Sequence, residues 1–131
     1  MNNGTGMTKS EIRMPSGKFN SAFWDALDSL VRDSELIVDR PKGSHHSRYP
    51  QITYPVDYGY LENTTSMDGN GIDVWCGSDA LGKIDIVICT IDLHKKDSEI
   101  KILIGCTSEE KKLIYNFHNR NNYMKGLLIE R

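Results

Sequence analysis

The sequence predicts an α+β domain dominated by β structure. Three observations lead there: an amphipathic helical stretch near each end of the chain, several short β-branched runs between them, and no helices separating those runs as a parallel βαβ sheet requires. The expected architecture is a small barrel or curled sheet with the helices packed outside. The 131 residues suffice for one domain with its own core. Residues 19–131 are expected to form it. Residues 1–18 are polar and Gly-containing and lack the apolar stretch of a secretory signal, so they read as a flexible tail.

Taken in order, Phe23, Trp24, Leu27, Leu30 and Val31 recur at helical spacing, with Asn20 or Ser21 to cap the start and Asp33-Ser34 to end the helix. Trp24 is expected in the core. Residues 35–39 form a β-branched run stopped by Arg40-Pro41-Lys42-Gly43, and residues 51–54 suggest another short strand after a loop. Pro55, Gly59, Asn63, Gly69, Asn70 and Gly71 punctuate the next segment, so residues 55–71 read mostly as turn and loop before a strand at 72–75. Residues 84–93 and 99–106 are the strongest strands, joined through 94–98 as a hairpin at the sheet's centre. Thr107 and Glu110 have capping-box spacing ahead of Leu113, Ile114 and Phe117, which predicts a helix over 108–118. His118 is expected to complement that helix's dipole. The apolar segment 127–129 would dock on the body or on a second subunit, leaving a homo-oligomer open.

Composition narrows the partners. Sixteen basic residues against eighteen acidic ones give a net charge of −2, with no basic excess for a polyanionic backbone, so no nucleic acid is expected. The longest apolar runs, 86–91 and 100–104, fall well short of the ~18 residues a membrane span needs. No membrane partner and a cytoplasmic location are expected. Cys76, Cys89 and Cys106 are odd in number and widely spaced, which suggests reduced, buried thiols. His45-His46 is the one adjacent pair of soft ligands, so no structural zinc is expected.

Asp68-Gly69-Asn70-Gly71-Ile72-Asp73 brings two carboxylates into one Gly-rich turn, and such oxygen ligands suit a hard cation such as Mg²⁺. Alone, a turn of this composition is more often a solvated loop. Period-two alternation then puts Asp97, Glu99 and Lys101 on one face of a strand and Ile100, Ile102 and Ile104 on the other. A half-exposed strand with a charged outer face would show the same pattern. Tyr54, Tyr58 and Tyr60 offer phenolic donors or simply packing, and Arg40, Lys42 and Arg48 offer phosphate-neutralising charge or a solvated surface.

Four segments in order, residues 36–41 (LIVDRP), 54–60 (YPVDYGY), 68–74 (DGNGIDV) and 99–101 (EIK), resemble the soluble family I inorganic pyrophosphatases. The likeness covers residues 35–106, with a weaker echo through the last helix. It implies an OB-like five-stranded barrel with outer helices, and Mg²⁺-dependent hydrolysis of pyrophosphate to two phosphates. On this resemblance Asp68 and Asp73 are metal ligands and Glu99 stands at another ligand position; Asp97, on the same strand face, is a candidate supplementary ligand. Lys101 and Tyr58 match an active-site lysine and tyrosine, Arg48 and Arg120 match phosphate-binding lysines, and Asp39 matches a nearby glutamate.

The departures are equally specific. Asn70 replaces an aspartate that would hydrogen-bond the attacking water; an amide orients water but does not accept its proton. His94 falls about where the family has a further metal-binding aspartate, and Pro50 replaces a glutamate. Only residues 51–53 separate Pro50 from Tyr54, so a hairpin and its arginine are missing. The implied pocket is more open, which admits a nucleotide phosphate as an alternative substrate, with Trp75 or His45 against a base. A phosphate- or nucleotide-binding module with weak catalysis is the third reading.

Overall fold

The computed structural model describes residues 20–67 and 69–131. The tail expected at residues 1–18 lies outside them, and so does Asp68. Among the described residues two helices and six strands follow in the order α1 (Ser21–Arg32), β1 (Leu36–Arg40), β2 (Asp57–Leu61), β3 (Ile72–Cys76), β4 (Ile86–Asp92), β5 (Asp97–Ile104), α2 (Ser108–Phe117) and β6 (Met124–Glu130). The strands form one mixed sheet in the order β1-β2-β3-β5-β4-β6, with β3 and β5 parallel and the other neighbours antiparallel. The class is therefore α+β, mainly β. The ladder has six strands rather than five and is not closed into a barrel among the described residues.

One expectation is corrected and two are made more specific. Residues 55–71 are mostly turn and loop, as expected, but a strand of 5 residues, β2, also runs through them between β1 and β3. Gly59 is there because β1 presses on the backbone, and a Cβ at that position would run into the Ile37 carbonyl oxygen. Residues 51–54 make no strand, only a single bridge between His45 and Thr53. Residues 127–129 belong to β6, hydrogen-bonded along β4, which moves β4 one place from the edge and leaves β5 beside β3 at the centre.

The sheet has two differently filled faces. Trp24 and Leu27 of α1 pack on Leu61, Val74, Val87 and Ile102, with Ile84 completing that cluster. On the other face Ile114 of α2 packs with Tyr54, Val56, Trp75, Ile86, Ile88 and Leu103. Alternation explains the division: Tyr58 pairs with Trp75 and Tyr60 with Asp73 across β2 and β3, whereas Gly59 pairs with Val74. The capping box of α2 forms as its spacing predicts. Thr107 Oγ1 accepts from the Glu110 amide at 3.2 Å and Glu110 Oε1 accepts from the Thr107 amide at 2.8 Å. Asn20 caps α1 without a side-chain bond. Of the cysteines, all free, Cys106 is buried and Cys76 and Cys89 are half-buried; burial pushes their thiols up, Cys76 to about 11 and Cys106 to about 12. No helix among the described residues is long and apolar enough to cross a membrane.

Candidate active site

Beyond the end of α2, where the helix no longer covers its face of the sheet, a cleft of about 560 Å³ opens. Its polar centre is built on three neighbouring strands. Lys101 of β5 reaches across to Asp73 of β3 and Tyr58 of β2, and Glu99 stands two residues before it on the same face. The Lys101 ammonium donates to Glu99 Oε1 at 2.7 Å, to Asp73 Oδ2 at 2.9 Å and to Tyr58 Oη at 3.1 Å, spending all three of its N–H bonds. Tyr58 Oη in turn donates to Asp73 Oδ2 at 2.6 Å. Two carboxylates, a phenol and an ammonium thus meet at one point.

The surroundings set the protonation of this cluster. Burial pushes the Tyr58 phenol well above its ordinary value, and the adjacent Asp73 carboxylate adds to that, so Tyr58 remains a hydrogen-bond donor at neutral pH. Burial alone would lower Lys101. Its anionic neighbours overcome that and leave it raised; since Tyr58 stays protonated, Asp73 and Glu99 do this at neutral pH.

Around the centre, Asp39 and Arg40 enter from β1, Asn70 and Gly71 from the turn before β3, Lys95 from the β4–β5 hairpin and Arg120 from beyond α2. A bulge in β1 explains the first pair: the register steps from Val38 opposite Gly59 to Arg40 opposite Tyr58, inserting Asp39. An acid and an arginine that strict alternation would send to opposite faces both line the cleft. Among the described residues, four lining cations (Arg40, Lys95, Lys101, Arg120) stand beside three carboxylates (Asp39, Asp73, Glu99), enough positive charge to receive an anionic ligand. The remaining wall is aromatic. His46 lies parallel to Tyr54 with ring centres 6.3 Å apart, Tyr54 stacks on Phe117 at 5.4 Å, and the Arg120 guanidinium covers Phe117 at 4.4 Å.

Of the residues the sequence singled out, Asp73, Asn70, Lys101, Tyr58, Glu99 and Arg120 line this cleft. Asp97 does not; it sits at the start of β5, opposite Asp92. Arg48 and Lys42 are exposed and outside the lining. The Arg48 amide donates to His46 Nδ1 and the Lys42 amide to Asp57 Oδ1. His94 stacks on Tyr123 with ring centres 3.8 Å apart. Trp75 is fully buried and His45 is outside the lining, so neither faces a ligand in the cleft. Sequence reading missed Lys95 and His46, and it misjudged His118. The last is no cation at the end of a helix: it is buried among the cleft-lining groups, and burial, aided by Lys101 and Arg120, depresses it to about 3.

Magnesium is commonly held by one or two carboxylates together with substrate phosphates and water, not by an all-protein cage. Asp73 and Glu99, drawn to one ammonium, are such a pair, and their oxygens are of the right chemistry for a hard cation. No group of three His, Cys, Asp or Glu side chains gathers as a metal site among the described residues. No family model and no curated protein matches the chain.

Proposed function

We propose that this cleft binds a phosphoanhydride and that the protein is a Mg²⁺-dependent hydrolase of inorganic pyrophosphate. The observation that carries the reading is the convergence of Tyr58, Asp73 and Glu99 on the Lys101 ammonium inside a cleft also lined by Arg40, Lys95 and Arg120. A phosphoanhydride presents several negative oxygens, and its cleavage depends on positioning and charge neutralisation more than on covalent chemistry by the protein. Asp73 and Glu99, with Asp68, would hold magnesium, which supplies Lewis-acid polarisation of the phosphoryl group and activation of the water nucleophile. Arg40, Lys95 and Arg120 neutralise phosphoryl oxygens from the rim. Lys101 turns its donors from the carboxylates to the substrate, and Tyr58 remains a neutral donor beside them. Asn70 orients the attacking water. In this reading β1 to β5 are the five strands of the OB-like design and β6 is an addition on β4. The enzyme would act in the cytoplasm, with assembly into a homo-oligomer left open.

One observation favours a larger substrate. The aromatic and arginine wall of His46, Tyr54, Phe117 and Arg120 lies beside the charged centre, in a cleft roomy enough for more than two phosphoryl groups. A nucleotide phosphate would place its base there, against His46 or Arg120 rather than Trp75 or His45. Phosphate release from pyrophosphate and from nucleoside di- and triphosphates, with and without Mg²⁺, decides between them, with Asp73→Asn as the control. Mg²⁺-dependent release from pyrophosphate, lost in the control, is the expected result. Preference for a nucleotide would favour the second reading, and no release from any substrate by folded protein would leave a binding module. Asn70→Asp sharpens this: a gain approaching ~10²-fold means the amide limits proton transfer.

A further inference from the structure

His118 Nδ1 is the one buried side-chain polar atom among the described residues with no hydrogen-bond partner. Its environment fixes what that atom is. The Trp75 indole N–H lies 3.1 Å from His118 Nε2, and an indole nitrogen can only donate, so Nε2 must present a lone pair. The proton of the neutral ring is therefore on Nδ1. Protonating Nε2 as well would oppose two donors across the Trp75 contact, and Lys101 and Arg120 disfavour the added charge. Nδ1 is then a buried N–H donor with nothing among the described residues to accept it. Packing alone gives no reason for that cost, since an aromatic ring without nitrogen would fill the same space beside Trp75, Phe117 and Gly126.

His118 lines the cleft with Lys101 and Arg120, whose charges act on its ring, and a group seated there becomes the acceptor once it displaces the side chains that close Nδ1 from solvent. We propose that His118 Nδ1–H is a neutral hydrogen-bond donor to a phosphoryl oxygen of the bound ligand, held in the donating tautomer by Trp75. This rests on the cleft taking a phosphoryl anion and not on the anion being cleaved. A neutral donor complements the charged rim: it adds direction without another cation.

The test is made on the full chain with ¹⁵N-labelled histidine, following the His118 Nδ1–H resonance during titration with inorganic phosphate and, separately, with pyrophosphate and Mg²⁺. The proton is expected on Nδ1, with its resonance moving saturably at the midpoint of ligand binding. His118→Phe should weaken phosphate binding roughly 2- to 10-fold, the range of one neutral hydrogen bond, and His118→Asn, which returns an N–H donor, should recover part of it. A resonance that stays still while the cleft saturates overturns the proposal, as does a proton found on Nε2 or the absence of saturable binding of either anion. A resonance that moves in a protein that cleaves no phosphoanhydride upholds His118 as a ligand donor and overturns the hydrolase reading instead.

Discussion

Consecutive residues of β5 face two different solvents. Ile100, Ile102 and Ile104 point to the face under α1, and Glu99, Lys101 and Leu103 to the face under α2. On the α1 face the buried cluster is wholly apolar. In the hollow at its margin Arg131 is already engaged, clamping Asp28 through two bonds of 3.0 and 2.9 Å and also donating to the Ile84 carbonyl. On the α2 face the apolar cluster stops short, and charged groups occupy the rest in mutual contact. The difference teaches what strand parity decides and what it does not. Parity sends charges to one side; the extent of the covering helix determines whether they are sealed, neutralised or left open to a ligand.

Adjacent substitutions should break the comparison most sharply. Ile102→Ala removes a side chain that is 1% exposed and should cost about 2–5 kcal/mol of stability, measured by denaturant unfolding, while kcat of the folded protein is unchanged. Lys101→Met should also destabilise, by about 3–5 kcal/mol, because Asp73 and Glu99 lose their shared cation. It should in addition lower turnover by about 10²- to 10³-fold. Equal loss of turnover in both variants would mean that the faces are not functionally distinct.

The parts legible in the sequence were those set by local pattern. Alternation alone put Glu99 with Lys101 and opposite Ile100 and Ile102, and the acidic turn led into a strand carrying Asp73. The capping box was equally local. What could not be read depended on partners distant in sequence. Gly59 looks like a turn residue until β1 lies against it, so β2 and the support for Tyr58 were missed. The β1 bulge, which delivers Arg40, has no sequence signature of its own. Arg48 and Lys42 are the same residue types as Arg40 and Lys95, and only the path of the chain separates the exposed pair from the pair in the cleft. His118 required the position of Trp75, 43 residues away in the chain.

Acid should act on the two faces unequally through His118. Its folded value of about 3 lies below the ordinary 6.5, so between these limits the unfolded chain binds a proton that the folded one refuses. The contribution is complete above pH 6.5 and is lost progressively as pH falls toward 3, on the order of several kcal/mol across the window. His118→Phe should therefore flatten the fall in stability on acidification relative to the native chain. An unchanged slope would show that His118 takes up its proton in the folded state.

The bulge sharpens the account of the open face at smaller scale. Arg40→Ala should weaken pyrophosphate binding about tenfold, as expected for loss of one charge-assisted contact, and Arg48→Ala should weaken it less. Isothermal titration of both variants checks the order. A larger loss at Arg48 would mean that its loop closes over the ligand.

The smallest effect separates the two helices rather than the two faces. α1 has no side-chain bond at its Asn20 cap and is held by its apolar stripe and by Arg131 on Asp28. α2 is shorter and leans on its capping box, and the same Glu110 carboxylate accepts from the Ser78 amide at 3.1 Å, tying the helix start to the segment after β3. Burial would raise the Glu110 carboxyl, but the backbone donors of Thr107 and Ser78 outweigh it and hold it below its ordinary value. Its contribution is therefore present at neutral pH and lost as pH falls through that lowered value. Thr107→Ala should cost about 1 kcal/mol and Asn20→Ala less, since only the first removes an observed capping bond. Thermal unfolding of the two variants distinguishes them. Equal losses would mean that α2 owes its place to Ile114 alone, and that the cleft it borders does not depend on how the helix begins.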